Sequence, residues 1–264
     1  MKITIIGAGN MGGAIARGLA KGNIFKESDI TVTARTQKTL DCIHSFNPQL
    51  NVTLDNVQAV KGADLVVLAV KPWLLDSVIS HIRTALDLSS QIIISVVAGV
   101  SFADLKDMLC KDQEYDPVMF RVIPNTAISI GESMSLIAES NATDEQVALV
   151  KSVLDELGKT AIIEEKQMGA ATALCSCGIA YAFRYIKASI DGAVEMGLYP
   201  RAAKDMVVQT LRGAADLLDK NDSMPDEETY KVTTPGGITI KGLNEMEACG
   251  FTNAVVKGLK ASNK

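Results

Sequence analysis

The sequence predicts an α/β protein, with a doubly wound parallel sheet over residues 1–163 and an all-helical domain over residues 164–264. Three observations carry this. The β-branched run Ile3, Ile5 and Ile6 stops abruptly at a glycine-rich stretch and gives way to a helical pattern from Ala14 to Ala20. The apolar runs 64–70 and 92–97 then alternate with segments of helical period, as buried parallel strands do. From Thr143 onward the β-branched runs thin out, apart from 160–163, and segments 167–197 and 200–220 read as long helices rich in Ala, Gly and Ser.

In chain order, the first strand runs into Gly7-Ala8-Gly9-Asn10-Met11-Gly12, a G-x-G-x-x-G pattern between strand and helix. Gly7 would make the tight turn, Gly9 would let a pyrophosphate approach the backbone, and Gly12 would let helix pack on strand. Free N–H groups at the helix start would hold the anion. The pattern and its position therefore predict a dinucleotide site. Strand two is expected at 29–34, a helix at 38–46, a short strand at 51–53 and a central strand at 64–70 stopped by Lys71-Pro72. A helix at 73–86, a strand at 92–97, a helix capped at Ser101 and strands at 118–123 and 134–138 follow. Residues 221–228 read as a polar, acidic turn region, 234–237 as a sharp loop, and 239–249 and 253–260 as helices.

A dinucleotide site of the NAD type carries Asp or Glu near the end of strand two, where it binds the ribose 2′-hydroxyl. Here that place reads Ala34-Arg35-Thr36-Gln37-Lys38, without an acid. A guanidinium and a hydroxyl suit a 2′-phosphate, so NADP(H) is favoured over NAD.

Composition narrows the rest. The 264 residues are 47% hydrophobic with a net charge of −5, which allows a sizeable core and argues against a nucleic-acid partner. No apolar run suggests a membrane span and no signal peptide is evident, so a cytoplasmic location is expected. The five cysteines, Cys42, Cys110, Cys175, Cys177 and Cys249, lack a metal-binding spacing and read as reduced, buried thiols. No metal site is expected. A helical half of this size would complete its core by dimerising, a use for its small residues Gly178, Ala188 and Gly192.

Four further stretches stand in order: 69–72 (Ala-Val-Lys-Pro), 121–126 (Arg-Val-Ile-Pro-Asn-Thr), 177–181 (Cys-Gly-Ile-Ala-Tyr) and 232–243 (Val-Thr-Thr-Pro-Gly-Gly-Ile-Thr-Ile-Lys-Gly-Leu). With the N-terminal glycines they resemble the pyrroline-5-carboxylate reductase family from Ile3 to about Leu259. The resemblance implies an N-terminal Rossmann domain, a helical dimerisation domain, and dimers that assemble further. It implies NADPH-dependent reduction of the cyclic imine (S)-1-pyrroline-5-carboxylate to L-proline, with NADH left open as a second donor. By motif, Gly7, Ala8, Gly9, Asn10, Met11 and Gly12 would hold the pyrophosphate, and Arg35 and Thr36 the 2′-phosphate. Asn56, Ala69, Val70, Lys71, Pro72, Ala98 and Gly99 would line the ribose and nicotinamide side, and Asn125 would lie by the nicotinamide. Val232, Thr234, Gly236, Gly237 and Ile238 would take the substrate, its carboxylate meeting backbone N–H groups and the Thr234 hydroxyl. Thr239 would hydrogen-bond the imine nitrogen and act as the catalytic residue.

Departures from the family pattern are Ile179 in place of proline, Ile123 and Ala127 around Pro124-Asn125-Thr126, and Thr234 where serine is commoner. Taken alone, Thr239 would read as a helix N-cap and Asn125 as turn chemistry. Lys71 alone would be a solvated charge and Tyr181 a core aromatic. A β-hydroxyacid enzyme on the same plan would need a catalytic lysine, for which Lys166 and Lys187 are the candidates. A related cyclic-imine reductase and a catalytically silent NADPH-binding protein remain as further readings. Retention of Thr239 and of the Gly236-Gly237 loop weighs against the silent one.

Overall fold

A computed structural model describes residues 1–111 and 115–263. The chain divides into two compact units, Met1–Ser176 and Cys177–Lys264.

The first unit is built on strands β1 (Ile3–Ile6), β2 (Ile30–Thr33), β3 (Asn51–Thr53), β4 (Leu65–Leu68), β5 (Ile92–Ser95), β6 (Met119–Ile123), β7 (Ser133–Ser140) and β8 (Gly158–Ile162). They form one sheet in the order β3-β2-β1-β4-β5-β6-β7-β8. All pairings from β3 across to β6 are parallel; β7 runs antiparallel to β6, and β8 parallel to β7. The order reverses between β1 and β4, which makes their ends a topological switch point.

The connecting helices are α1 (Asn10–Leu19), α2 (Gln37–Phe46), α3 (Asn56–Val60), α4 (Leu75–Ile82), α5 (Phe102–Cys110) and α6 (Asp144–Asp155). They cover both faces. On one face Ile15 and Leu19 of α1, Ile43 of α2, and Val150, Val153 and Leu154 of α6 pack with Ile5, Val32 and Val67. On the other, Val60, Leu75, Ile79 and Leu105 pack with Ile6, Val66, Leu68 and Ile93. Every residue of β1, β4 and β5 is buried, which is why these runs are apolar on both faces apart from Thr4, whose hydroxyl donates to the Ala59 carbonyl, and Ser95.

Past β8 comes a 3-10 turn at Glu165–Gln167, then α7 (Met168–Ala171), a π-helical stretch at Thr172–Cys177, and α8 (Gly178–Glu195). The helix expected at 167–197 is thus broken near its start. Met168 and Ala173 are buried, and Met168 packs with the sheet core, so the chain beyond residue 163 stays with the first unit up to Ser176.

The second unit continues with α9 (Pro200–Asn221), α10 (Pro225–Val232), α11 (Ile238–Ala248) and α12 (Phe251–Ser262). Helix α10 corrects the turn expected at 221–228. Pro225 stands at the first helical position, the Glu227 carboxylate accepts the Met224 N–H at 2.8 Å, and three acids fill the first turn. These acids look like loop composition, yet they favour the positive end of a helix. Among the described residues of this unit only Ala203 is buried. Phe183, Met196, Tyr199, Met206 and Ile238 are all exposed. Such an apolar surface is what a helix bundle presents when its partner helices belong to another molecule.

The cysteines are free, but only Cys110 is buried; Cys42 and Cys249 are exposed, contrary to the sequence expectation. Cys42 lies on the solvent side of α2, whose core face is made by Leu40 and Ile43. Among the described residues no helix is long and apolar enough to cross a membrane.

Candidate active site

The register of the six parallel strands places their C-terminal ends side by side. Ile6 pairs with Thr33 and Leu68, and Leu68 with Ser95, which pairs with Arg121. The residues that follow are therefore brought to one edge: Gly7-Ala8 after β1, Arg35-Thr36 after β2, Asn56 after β3, 69–72 after β4, Ala98-Gly99 after β5 and Asn125 after β6. This is the edge at which open α/β sheets bind ligands.

The glycine turn is tightly built except at one point. Gly7 has φ of +105°, and a Cβ there would lie 2.8 Å from the Ala69 carbonyl oxygen. A Cβ on Gly12 would overlap the Gly7 carbonyl oxygen and come within 2.9 Å of the Ala69 Cβ. A Cβ on Gly9 would meet nothing within 4 Å. The missing side chain of Gly9 therefore faces open space just before α1, whose N-terminus has no side-chain cap and no acid in its first turn. A phosphate group fits that arrangement, because uncapped N–H groups and the helix dipole both favour an anion. A shallow cavity of about 250 Å³ lined by Arg83, Asp87 and Tyr115 lies instead at the opposite end of the strands.

At the exit of β2, Gly7 and Ala8 donate backbone N–H groups to the Thr33 carbonyl at 3.2 and 2.8 Å. The next residues, Arg35 and Thr36, therefore flank the glycine turn. Arg35 is exposed. Thr36 caps α2, its hydroxyl accepting the Thr39 N–H.

Asn125 is 8% exposed and its side chain is engaged within the unit. Its Oδ1 accepts the Ala127 N–H at 2.9 Å, and its Nδ2 donates to the Cys175 carbonyl at 3.3 Å, inside the π-helical stretch. A carbonyl of this irregular turn is thus satisfied by a side chain just past the end of β6. The same strand carries a residue that the sequence did not single out. Arg121 forms an ion pair with Glu165 at 2.6 Å, its side chain 11% exposed, and lies over the Phe102 ring. Glu165 also accepts the Phe102 N–H at the start of α5, at 2.7 Å. Arg121 and Asn125 together fix the path of the chain as it leaves the sheet. Only an ion pair in the folded chain reveals Glu165; in sequence it is one acid in an acidic stretch.

In the helical unit, α10 leads to a turn in which Gly237 donates its N–H to the Thr234 carbonyl at 2.9 Å and Gly236 adopts φ of +72°. The Thr234 hydroxyl lies against Gly237, 2.6 Å from where a Cβ would be. Gly237 is the N-cap of α11 and supplies no side-chain cap. The N–H groups of Ile238, Thr239 and Ile240 are thus the open donors of that helix end, while the Gly237 N–H is engaged in the turn. Thr239 is not the cap: it stands inside the first turn, exposed, and its hydroxyl has no partner among the described residues. Helix α10 is anchored through Glu228, which accepts from Lys231, Ser223 and Asn221. The Lys231 ammonium and these donors push its carboxyl down to about 2. Lys166 and Lys187 pair with Glu164 and Asp191, at 2.5 Å in each case, as surface lysines do. Tyr181 is no core aromatic: its side chain is exposed and it hydrogen-bonds Ser262.

Residues 165–264 match a family model described as pyrroline-5-carboxylate reductase dimerisation, and residues 2–99 one described as NADP oxidoreductase, coenzyme F420-dependent. The chain is 37% identical to pyrroline-5-carboxylate reductase 1 of Dictyostelium discoideum over 99% of its length and 48% of that protein. It is 33% identical to pyrroline-5-carboxylate reductase of Arabidopsis thaliana over 100% of its length and 95% of that protein. The chain thus spans about half of the first relative and nearly all of the second. The crystal structure of Plasmodium falciparum pyrroline carboxylate reductase with NADP bound superposes with a TM-score of 0.87 at 30% identity, covering 99% of this chain and 95% of that one.

Proposed function

The chain belongs to the pyrroline-5-carboxylate reductase family, and from that premise we propose that it reduces (S)-1-pyrroline-5-carboxylate to L-proline with NADPH, the last step of proline biosynthesis. The reduced nicotinamide supplies the hydride that the imine carbon accepts. The chain supplies binding and orientation. Gly7, Ala8, Gly9, Asn10, Met11 and Gly12 hold the pyrophosphate at the start of α1, and Arg35 and Thr36 hold the 2′-phosphate. Asn56, Ala69, Val70, Lys71, Pro72, Ala98 and Gly99 line the remainder of the nucleotide crevice. Asn125 acts from behind, through the Cys175 carbonyl that it holds.

The observation that carries the reading is the first turn of α11. Open N–H groups and the Thr234 hydroxyl suit a carboxylate, and the unpartnered Thr239 hydroxyl stands beside them, ready to bond a ring nitrogen. Val232, Thr234, Gly236, Gly237 and Ile238 form this substrate loop. A C=N bond accepts hydride readily once its nitrogen is protonated or hydrogen-bonded, so a hydroxyl that orients the nitrogen is sufficient equipment. The exposed apolar helices support a homodimer, on which larger assemblies can be built, and the free cysteines suit a reducing, cytoplasmic compartment.

The test is NADPH oxidation by the purified protein on addition of pyrroline-5-carboxylate, with proline assayed as product and NADH run in parallel. Substrate-dependent oxidation that yields proline is expected. Tight NADPH binding without turnover would refute the reading in favour of a silent binding protein, and turnover only with other cyclic imines would reassign the substrate.

A further inference from the structure

We propose that Arg17, on α1, binds the 2′-phosphate of NADPH together with Arg35 and Lys38, and so helps to set the choice of NADPH over NADH. The inference rests on the NADPH reading above.

Arg17 stands in the last turn of α1, where a cation would ordinarily stay to complement the negative helix end. Its side chain runs the other way. A Cβ on Gly13 would lie 3.1 Å from the Arg17 Nη1, and 3.5 Å from both the Ala8 carbonyl oxygen and the Ile43 Cδ1. The guanidinium is therefore laid back over the first turn of its own helix, into the corner between the glycine turn and α2. Helical side chains lean toward the N-terminus, so a long one at position i reaches the residue at i−4 without strain. Gly13 leaves the room that this requires. Moving a cation toward the positive end of a helix is unfavourable unless an anion meets it there.

No anion among the described residues does so. Arg17, Arg35 and Lys38 have no carboxylate partner among the described residues. Asp41 of α2 accepts a hydrogen bond from Gln37 at 2.8 Å. The topology sets the three on neighbouring segments at one edge of the sheet: Arg17 through Gly13, Arg35 just after the strand that receives the Gly7 and Ala8 N–H groups, and Lys38 in the first turn of α2. In a chain of net charge −5, three unpaired cations at one edge match a phosphate monoester dianion. The ribose edge of a dinucleotide held by the glycine turn presents one only when it carries the 2′-phosphate.

The experiment is calorimetric binding of adenosine 2′,5′-bisphosphate and of 5′-AMP, which lacks the 2′-phosphate, to the full-length wild type and to Arg17→Gln, Arg17→Lys and Arg35→Gln. Thermal midpoints are taken to confirm folding. We expect the wild type to prefer the bisphosphate, Arg17→Gln to lose about tenfold or more of that preference with 5′-AMP affinity unchanged, and Arg17→Lys to fall between. Arg17→Lys retains charge and stem, so it still reads the effect should Arg17→Gln fold poorly. If the preference survives in both Arg17 variants while Arg35→Gln loses it, the role of Arg17 is refuted and the NADPH reading stands. If the wild type binds the two nucleotides alike, the NADPH reading fails and the inference falls with it.

Discussion

Replacing Gly9 and Gly12 by alanine, one at a time, separates the binding surface of the glycine turn from its packing. Gly9 sits at φ −69° and ψ −166°, a conformation that alanine adopts freely. Its Cβ would meet nothing within 4 Å. Two small terms act on stability and oppose each other. Alanine is a poorer N-cap than glycine, costing about 0.5–1 kcal/mol, and it narrows the unfolded ensemble, contributing about 0.4–1 kcal/mol. The thermal midpoint should therefore stay within about 2 °C of wild type. The new methyl group would occupy the space into which the pyrophosphate comes, and losing one charge-assisted hydrogen bond of about 1.5–3 kcal/mol weakens NADPH by roughly 10- to 100-fold. Gly12→Ala should do the reverse in order of cause. Its Cβ overlaps a backbone oxygen that cannot move away, so overpacking of about 1–3 kcal/mol should lower the midpoint by roughly 3–10 °C. Calorimetric melting and a fluorescence titration with NADPH read both quantities. A Gly9→Ala protein that melts normally and binds NADPH within about twofold of wild type would refute the pyrophosphate assignment. An unchanged midpoint in Gly12→Ala would refute the packing.

Thr239→Val should lower kcat on the order of 100-fold while leaving the midpoint and NADPH affinity intact, since the hydroxyl has no partner among the described residues; Thr239→Ser should retain most activity. A loss below about threefold would remove the hydroxyl from the mechanism. Glu165→Ala strands the Arg121 guanidinium, whose side chain is 11% exposed. Because the carboxylate is itself 38% exposed, the cost of about 3–5 kcal/mol for a fully buried pair is reduced to about 2 kcal/mol. A midpoint lowered by about 4–8 °C is expected, and an unchanged midpoint would contradict the clamp. The Glu228 carboxyl is held down to about 2 from an ordinary 4.5, so its stabilising effect is fully present above 4.5 and lost as pH falls through about 2. The melting difference between wild type and Glu228→Gln should accordingly shrink over that window and vanish below it. A difference independent of pH would show that the charge is not the cause.

Much of this architecture was legible in the sequence, because parallel strands buried on both faces leave uninterrupted apolar runs such as 65–68 and 92–95. That the nominated residues of the first unit gather at one edge was legible too, since they follow those strands directly and the sheet lines up their ends. What escaped depends on contacts between distant segments. The break at 172–177 is invisible in a continuous helical pattern; it coincides with the bond from Asn125 to the Cys175 carbonyl. Helix α10 escaped because acids that favour a helix start resemble those of a loop. Taken alone, Thr239 read as a cap, but the chain caps α11 with Gly237 two residues earlier and leaves the hydroxyl without a partner among the described residues. The laying back of Arg17 over Gly13 leaves no trace in spacing, because both residues have ordinary readings on their own.

Helix α1 is closed on its outer side by residues made long after it. Leu157 takes the space beside Gly18, Val150, Val153 and Leu154 complete the apolar cluster around Ile15 and Leu19, and the N–H groups of Asn23 and Ile24 both donate to the Glu156 carboxylate. On the ribosome, β1, the glycine turn and α1 emerge well before residue 157 and cannot bury their outer face until it has cleared the exit tunnel. A nascent chain arrested before that point should stay open to proteases at α1, and one arrested after it should become resistant. The glycine turn is thus translated well before the residues that finish the packing of the helix behind it.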